Sequence, residues 1–210
     1  MENQAKALPA MIRAIDGAIR ANGDNVTQLD QAIGDGDHVF NLQRGIEALL
    51  PLCDELAGSA WHAAFKTIGM TVMSTIGGAS GSLYATLFLG MAKSLQGQDS
   101  SFLSFAEAFR SGVEAVKARG KADVGEKTML DVLVPVSRVL LDGAASSAPI
   151  DEVLREACAA ADAGVETTRD MLATKGRASF LGERARGHLD PGAKTAQLMI
   201  CAVCGVLLSP

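Results

Sequence analysis

The sequence predicts an all-α protein, a barrel or bundle of about eight antiparallel amphipathic helices, and three observations carry that prediction. Apolar residues recur at i, i+3, i+4 and i+7 along the whole 210-residue chain. No segment alternates apolar and polar residues with the two-residue period of a half-buried strand. The apolar mass comes largely from Ala, Leu and Met, with a single Trp and a single Tyr, a composition that packs helices closely and builds poor sheets.

Taken in order, Leu8, Met11, Ile12, Ile15 and Ile19 form the first stripe, with Asn22-Gly23 as its stop. Asn25 and Gln28 resemble a capping box for a short helical segment carrying Leu29 and Ile33. Leu42, Ile46 and Leu49 make a third stripe, ending at Pro51. Trp61, Phe65, Ile68 and Val72 make a fourth; Leu83, Leu87 and Met91, beside Tyr84 and Phe88, make a fifth. Phe102, Phe105, Phe109, Val113 and Val116 follow, closed by Gly120. Met129, Val132, Leu133, Val136 and Leu140 form the next, with a kink expected at Pro135. An alanine-rich helix runs from about Asp151 to Lys175, stopped by Gly176. The last helix starts at Asp190 as N-cap with Pro191 in its first turn, and carries Ala196, Met199, Ile200, Val203 and Leu207. No Pro/Ser-rich linker divides the chain, so residues 1–210 read as a single domain.

Composition narrows the function. At 48% hydrophobic and 20% charged, the chain can bury enough apolar surface to offset its ordering entropy. Lys and Arg number 19 against 24 Asp and Glu, for a net charge of -5, which argues against a surface that coats nucleic acid. Cys53, Cys158, Cys201 and Cys204 are too few for a disulfide framework in a chain this long, and Cys201-x-x-Cys204 reads as two small core residues. The first nine residues show no signal peptide. Thr67 through Ala92 is uncharged and long enough to span a bilayer, but Gly77-Gly78-Ala79-Ser80-Gly81-Ser82 breaks it. Two buried helices joined by a tight loop fit better, and the expectation is a soluble cytoplasmic protein with no membrane or nucleic-acid partner.

Chemistry-bearing residues gather at the helix junctions. Asp30, Asp35 and Asp37 lie within eight positions, and Gly34 and Gly36 let the backbone fold them inward. Three anions converging on one point call for a cation, and carboxylates without thiolates favour hard Mg²⁺ or Ca²⁺. An EF-hand fails, because counting from Asp35 the fifth and twelfth positions are Val39 and Ile46. A solvated acidic turn is the plain alternative. The glycine-rich Gly77–Ser82 junction, opening a helix, can present backbone N–H groups to phosphate oxygens. Gly120 to Thr128 nearly spells a Walker A loop, but Glu126 intrudes before Lys127 and no strand precedes it. Arg177, in Lys175-Gly176-Arg177-Ala178-Ser179, and the capped turn Asp190-Pro191-Gly192 can clamp an anion.

Together these stretches resemble the nucleotide-binding L subunit of bacterial dihydroxyacetone kinase. The resemblance rests on Leu29-Asp30 through His38, Gly69-Met70-Thr71 with Gly77–Gly81, and Arg119-Gly120-Lys121-Ala122 with Lys127-Thr128-Met129 and Asp131-Val132. It continues in Lys175–Ser179, Leu181–Arg184 and Gly187-His188 with Asp190–Ala193, so that it covers nearly the whole chain. It implies a barrel of eight antiparallel helices in which Asp30, Asp35 and Asp37 hold two Mg²⁺ ions bridging the phosphates of ADP or ATP. His38, Val39, Phe40, Asn41, Ala79, Ser80, Gly120, Met129, Arg177, Asp190, Pro191 and Gly192 would surround the nucleotide. It also implies partners: a K subunit holding dihydroxyacetone on a histidine, and, in the phosphotransferase-system branch, a phosphohistidine M subunit as donor. The stand-alone length and His38 favour that branch. An ATP-dependent kinase subunit for another short ketose and a regulatory module acting on a transcription activator stay open, as does a homodimer. The chain departs from the family pattern at Val39 and Leu42, where Gly and Met are usual, so the turn after His38 is expected to differ.

Overall fold

The computed structural model describes residues 5–209. Among these, ten α-helices are present: α1 (Leu8–Ala21), α2 (Gly23–Ile33), α3 (His38–Leu49), α4 (Cys53–Gly58), α5 (Trp61–Thr75), α6 (Gly78–Leu95), α7 (Phe102–Gly120), α8 (Leu130–Ser146), α9 (Ile150–Thr167) and α10 (Pro191–Leu208). Short 3₁₀ segments at Leu50–Leu52, Thr168–Asp170 and Arg177–Ala185 complete the regular structure.

Asn22-Gly23 bends a rod rather than ending it. The Asn22 amide donates to Ala18 O at 3.2 Å and the Val26 amide to Asn22 O at 3.0 Å, so helical bonding runs through the junction. The segment expected to start at an Asn25 cap therefore starts at Gly23, with no side-chain cap. Counting α1 and α2 as one bent rod, and α4 as a small lid on the turn between α3 and α5, eight rods remain. They pack as a closed ring: the bent rod beside α3, then α5, α6, α7, α8, α9, α10 and back to α1. Short connections make neighbours antiparallel. One apolar core, from Leu8 and Leu42 through Val132 to Ala196, fills the ring.

Proline and glycine explain one close contact. Pro135, the expected kink site, lies inside α8. Proline leaves the carbonyl four residues earlier, that of Asp131, without its helical donor. That carbonyl faces Gly164 of α9, where any Cβ would collide with it. The uncharged Thr67–Ala92 stretch is broken at Ile76-Gly77 into α5 and α6, two core helices with a tight loop between them. Pro191–Leu208 is the one helix among the described residues long and apolar enough to cross a membrane, with mean hydropathy 1.5. Here it packs against α9, α1, α2 and α8.

Two expectations are corrected. α9 ends at Thr167, not near Lys175, because the next carbonyls, of Thr168 and Arg169, accept from the Lys127 ammonium instead of continuing the helix. Cys158 of α9 and Cys201 of α10, read as separate core residues, form a disulfide with Cα atoms 5.1 Å apart. Helical spacing concealed the pair, since the partners lie 43 residues apart and meet only when the two helices pack. Cys53 and Cys204 are buried free thiols, as a core role requires.

Closing a 43-residue loop in the unfolded chain contributes up to about 4 kcal/mol in the chain-entropy account. Cys158→Ser, or reduction of the wild type, is expected to lower the urea midpoint accordingly, and unchanged midpoints would remove the disulfide from the account of stability.

Candidate functional site

An even number of antiparallel rods brings four inter-helix junctions to one end of the ring: α2/α3, α5/α6, α7/α8 and α9/α10. They enclose a cavity of about 410 Å³. The N-termini of α3, α6, α8 and α10 all open onto it, through His38, Gly78, Leu130 and Pro191. The partial positive charge local to each helix start makes that end receptive to anions, although the first amides of α8 are taken by Thr128 and Met129, and that of Ala193 in α10 by Asp190.

The aspartates stand at the α2/α3 corner. Asp30 closes the last turn of α2 and is buried; Asp35 and Asp37 follow in the exposed turn. One oxygen from each lies within 4.8 Å of the others. Asp30 is held by the His38 amide, which donates to Oδ2 at 3.1 Å, and Asp35 pairs with Arg177 at 2.7 Å. Gly34 makes this corner buildable: a Cβ there would strike the Asp30 carboxylate, and Gly36 turns with φ 80°. Three carboxylate oxygens with no thiolate among them suit a hard, oxygen-seeking cation.

His38 faces away from the acidic corner into a buried network. Its Nε2 lies 2.9 Å from Thr195 Oγ1 and its Nδ1 3.0 Å from Ser80 Oγ, while Tyr84 OH lies 3.3 Å from the same Thr195 oxygen. Thr195 donates its own proton to Gly192 O at 3.1 Å. Its lone pairs are then left to accept from His38 Nε2–H and Tyr84 O–H, and His38 Nδ1 accepts from Ser80. Burial pulls the imidazole below its ordinary value, against attraction from Asp30, Asp37 and Asp35, consistent with this neutral tautomer. Burial also pushes the Tyr84 phenol up to about 12, which keeps it a donor. One imidazole thus ties together α3, α6 and α10.

The α7/α8 junction holds two residues to which sequence reasoning gave no role. Asp131, 1% exposed, accepts from the Gly125 amide at 2.5 Å and the Thr128 amide at 2.8 Å, and so shapes the turn before α8. Lys127 is equally buried and adopts φ 60°, a left-handed conformation costing about 1–2 kcal/mol for a residue with a Cβ. Its ammonium donates to the carbonyls of Thr168 at 2.5 Å, His188 at 2.6 Å and Arg169 at 3.4 Å. Burial lowers its pKa from the ordinary value, while Asp190, Asp170 and Asp131 oppose that shift. The sequence did carry a signal, a lysine and an aspartate four residues apart inside the quoted motif, but not what they would bond.

Every residue expected around the ligand borders the cavity except two. Asp30, Asp35, Asp37, His38, Asn41, Ala79, Ser80, Gly120, Met129, Arg177, Asp190, Pro191 and Gly192 line it. Val39 and Phe40 do not, because α3 begins at His38 and turns their side chains elsewhere. Val39 fills a small core with Ile19, Val26 and Ile46, and Phe40 lies exposed, with the Arg44 guanidinium 5.9 Å from its ring centroid. As a helical residue, Val39 needs no positive φ, which is how the chain accommodates the departure noted at this position.

Asp190 caps α10 by accepting from the Ala193 amide at 2.7 Å. Burial pushes its carboxyl up to about 7; the Ala193 amide and Lys127 oppose the rise, and Asp131 and Asp30 add to it. The folded protein thus holds a proton that the unfolded chain releases near 3.8. This contribution to stability is full below about pH 4 and is lost as pH rises through about 7. Metal- and nucleotide-free protein is expected to show a urea midpoint that falls between pH 5 and 8, with a shallower fall in Asp190→Asn; equal slopes would contradict this.

The family profile described as the DAK2 domain matches residues 32–205. The chain is 40% identical over 185 residues to the PEP-dependent dihydroxyacetone kinase 1, ADP-binding subunit DhaL, of Listeria innocua, covering 88% of each chain. It is 39% identical over 176 residues to the corresponding subunit of the PEP-dependent dihydroxyacetone kinase of Escherichia coli K12, covering 83% of this chain and 84% of that one. Among solved structures, the dihydroxyacetone kinase from C. freundii in complex with AMP-PNP and Mg²⁺ superposes with a TM-score of 0.76 at 25% identity, over 98% of this chain and 35% of that one. With that profile spanning residues 32–205 of the 210, the chain belongs to the DAK2 domain family.

Proposed function

We propose that this chain is the ADP-binding subunit of a cytoplasmic PEP-dependent dihydroxyacetone kinase. In this reading it relays a phosphoryl group through bound nucleotide, from a phosphohistidine M subunit to dihydroxyacetone held on a K subunit. The observation that carries the reading is one juxtaposition: three clustered aspartates facing a cavity ringed by four helix N-termini. Donors for phosphate oxygens and acceptors for a hard cation stand side by side, the pairing that a metal-bound polyphosphate requires. The relatives' printed names supply the nucleotide, the sugar and the PEP dependence.

The donor set fits Mg²⁺: oxygen ligands only, one of them buried and oriented by a backbone amide. Asp30, Asp35 and Asp37 would hold the ions, two of them by resemblance. Bound Mg²⁺ offsets the charge that develops on a phosphoryl group in transfer. The chain's own residues bind and orient. Amides at the start of α6, including that of Ser80, would face phosphate oxygens, and Arg177 would add a guanidinium. Gly120, Met129 and Pro191 would border the nucleoside. Because phosphoryl transfer depends mainly on positioning and charge neutralisation, no nucleophile is needed from this chain.

Chain purified without added nucleotide is expected to carry ADP, identified by mass spectrometry of the denatured supernatant. Mixed with a K subunit, it should yield triose phosphate when given PEP and the phosphotransferase proteins; yield from ATP alone would favour the ATP-dependent reading. No product from either donor would overturn both. Asp30→Ala is expected to weaken MgADP binding about 100-fold, or about 2.7 kcal/mol, by titration calorimetry. Gly34→Ala, which drives a methyl into the Asp30 carboxylate, should weaken it by at least about tenfold. Unchanged affinity in both variants would remove the aspartates from the site.

A further inference from the structure

We propose that Lys127 is a positioning residue: its buried ammonium locks both ends of the segment between α9 and α10, and thereby sets where Arg177 meets the aspartate corner. The proposal rests on the nucleotide-binding reading above for its consequence, though not for its geometry.

The segment from residue 168 to 190 is the long connection of the ring, and apolar packing holds it only lightly. Leu189 joins the main core just before α10, but between there and α9 the buried apolar contacts reduce to Ala178 and Ala185 against Ile33 of α2, with Ala173 and Leu181 at the margin, and Phe180 stands 87% exposed. Left-handed glycines at 176, 182 and 187 give it three flexible bends. Polar bonds must therefore fix its course, and they concentrate on Lys127. Two of its acceptors, the carbonyls of Thr168 and Arg169, lie where the segment leaves α9; the third, of His188, lies where it returns. Three N–H donors meet three carbonyls, so the ammonium has no donor to spare. Two weaker bonds zip the same neck: Gly187 N to Arg169 O at 2.8 Å, and Asp190 N to Thr168 Oγ1 at 3.0 Å.

Beyond the neck, the neighbouring Glu126 takes hold of the middle. Its carbonyl accepts from the Thr174 amide at 3.3 Å, and its carboxylate accepts from the Thr174 hydroxyl and pairs with Lys175 at 3.4 Å. Two residues later Arg177 reaches Asp35. A compact ammonium suits three carbonyls converging on one point; the flat fork of arginine does not.

The test uses the full chain. In hydrogen exchange without nucleotide, Lys127→Met should raise exchange at least about tenfold in residues 169–188 while α5 and α6 keep wild-type protection, and trypsin should cleave faster after Arg177, Arg184 and Arg186. These readouts do not depend on what the cavity binds. In MgADP titrations, Lys127→Met should weaken binding at least about tenfold, and Lys127→Arg should not restore it. Added to Arg177→Gln, Lys127→Met should weaken binding by less than about twofold further, because a lysine acting through Arg177 has nothing left to position. Unchanged exchange in the segment, or a full additive loss on the Arg177→Gln background, would overturn the proposal. Absence of MgADP binding by the wild type would sink the nucleotide reading instead, leaving exchange to decide the geometry. Should Lys127→Met fail to fold, Thr168→Val, which removes one neck bond without uncovering three carbonyls, carries the same comparisons with smaller shifts.

Discussion

Mutual repulsion among Asp30, Asp35 and Asp37 governs the cavity end of the ring. One oxygen from each lies within 4.8 Å of the others, which concentrates like charge at a single corner. The compensations within the chain are individually small. A helix start offers about 0.3–1 kcal/mol, and the partly exposed Arg177–Asp35 pair contributes no more than about 1 kcal/mol. The His38 amide stabilises only Asp30. A divalent cation is the complement that this charge set matches. That is why the corner is built on Gly34, the one residue type whose lack of a side chain leaves room for the Asp30 carboxylate.

The scaffold converts this local requirement into a binding mouth. Each antiparallel pair delivers one helix end and one helix start to the same face, so four helix starts stand there beside four helix ends and the pull of each start on an anion is local. Three walls of the mouth are short helix-to-helix corners stiffened by the core. The fourth is the α9–α10 connection, ordered chiefly by hydrogen bonds. His38, Ser80, Thr195 and Tyr84 join three of the helices behind the mouth, so the corners cannot shift independently.

Much of this was legible in the sequence, for physical reasons. Helical period, the Asp190-Pro191 start and the glycine-rich junctions are local signals, and each appears in the fold where its residues stand. The acidic corner could be read because three carboxylates so close in sequence cannot separate far in space. What stayed hidden was non-local. Lys127 looked like part of a failed Walker loop, and its carbonyl partners lie 41 to 61 residues away. The end of α9 was misplaced because the competing donor comes from another helix junction. The Cys158–Cys201 bond required knowing that α9 and α10 are neighbours. Val39 was read as a turn residue because the start of α3 at His38 leaves no mark in hydropathy.

The parity of the ring has a consequence for attachment. Eight rods of alternating direction return the path to the face where it began, so the start of α1 and the close of α10 share the pole opposite the mouth. The Ala5 amide bonding to Ser59 O, beside α4, fixes the leading end at that pole. A tethered domain joined at either terminus would therefore hang from the base and leave the rim clear. This is a geometry in which the same unit can serve as a separate chain or, as in the C. freundii kinase where its counterpart occupies about a third of the polypeptide, as one segment of a longer one.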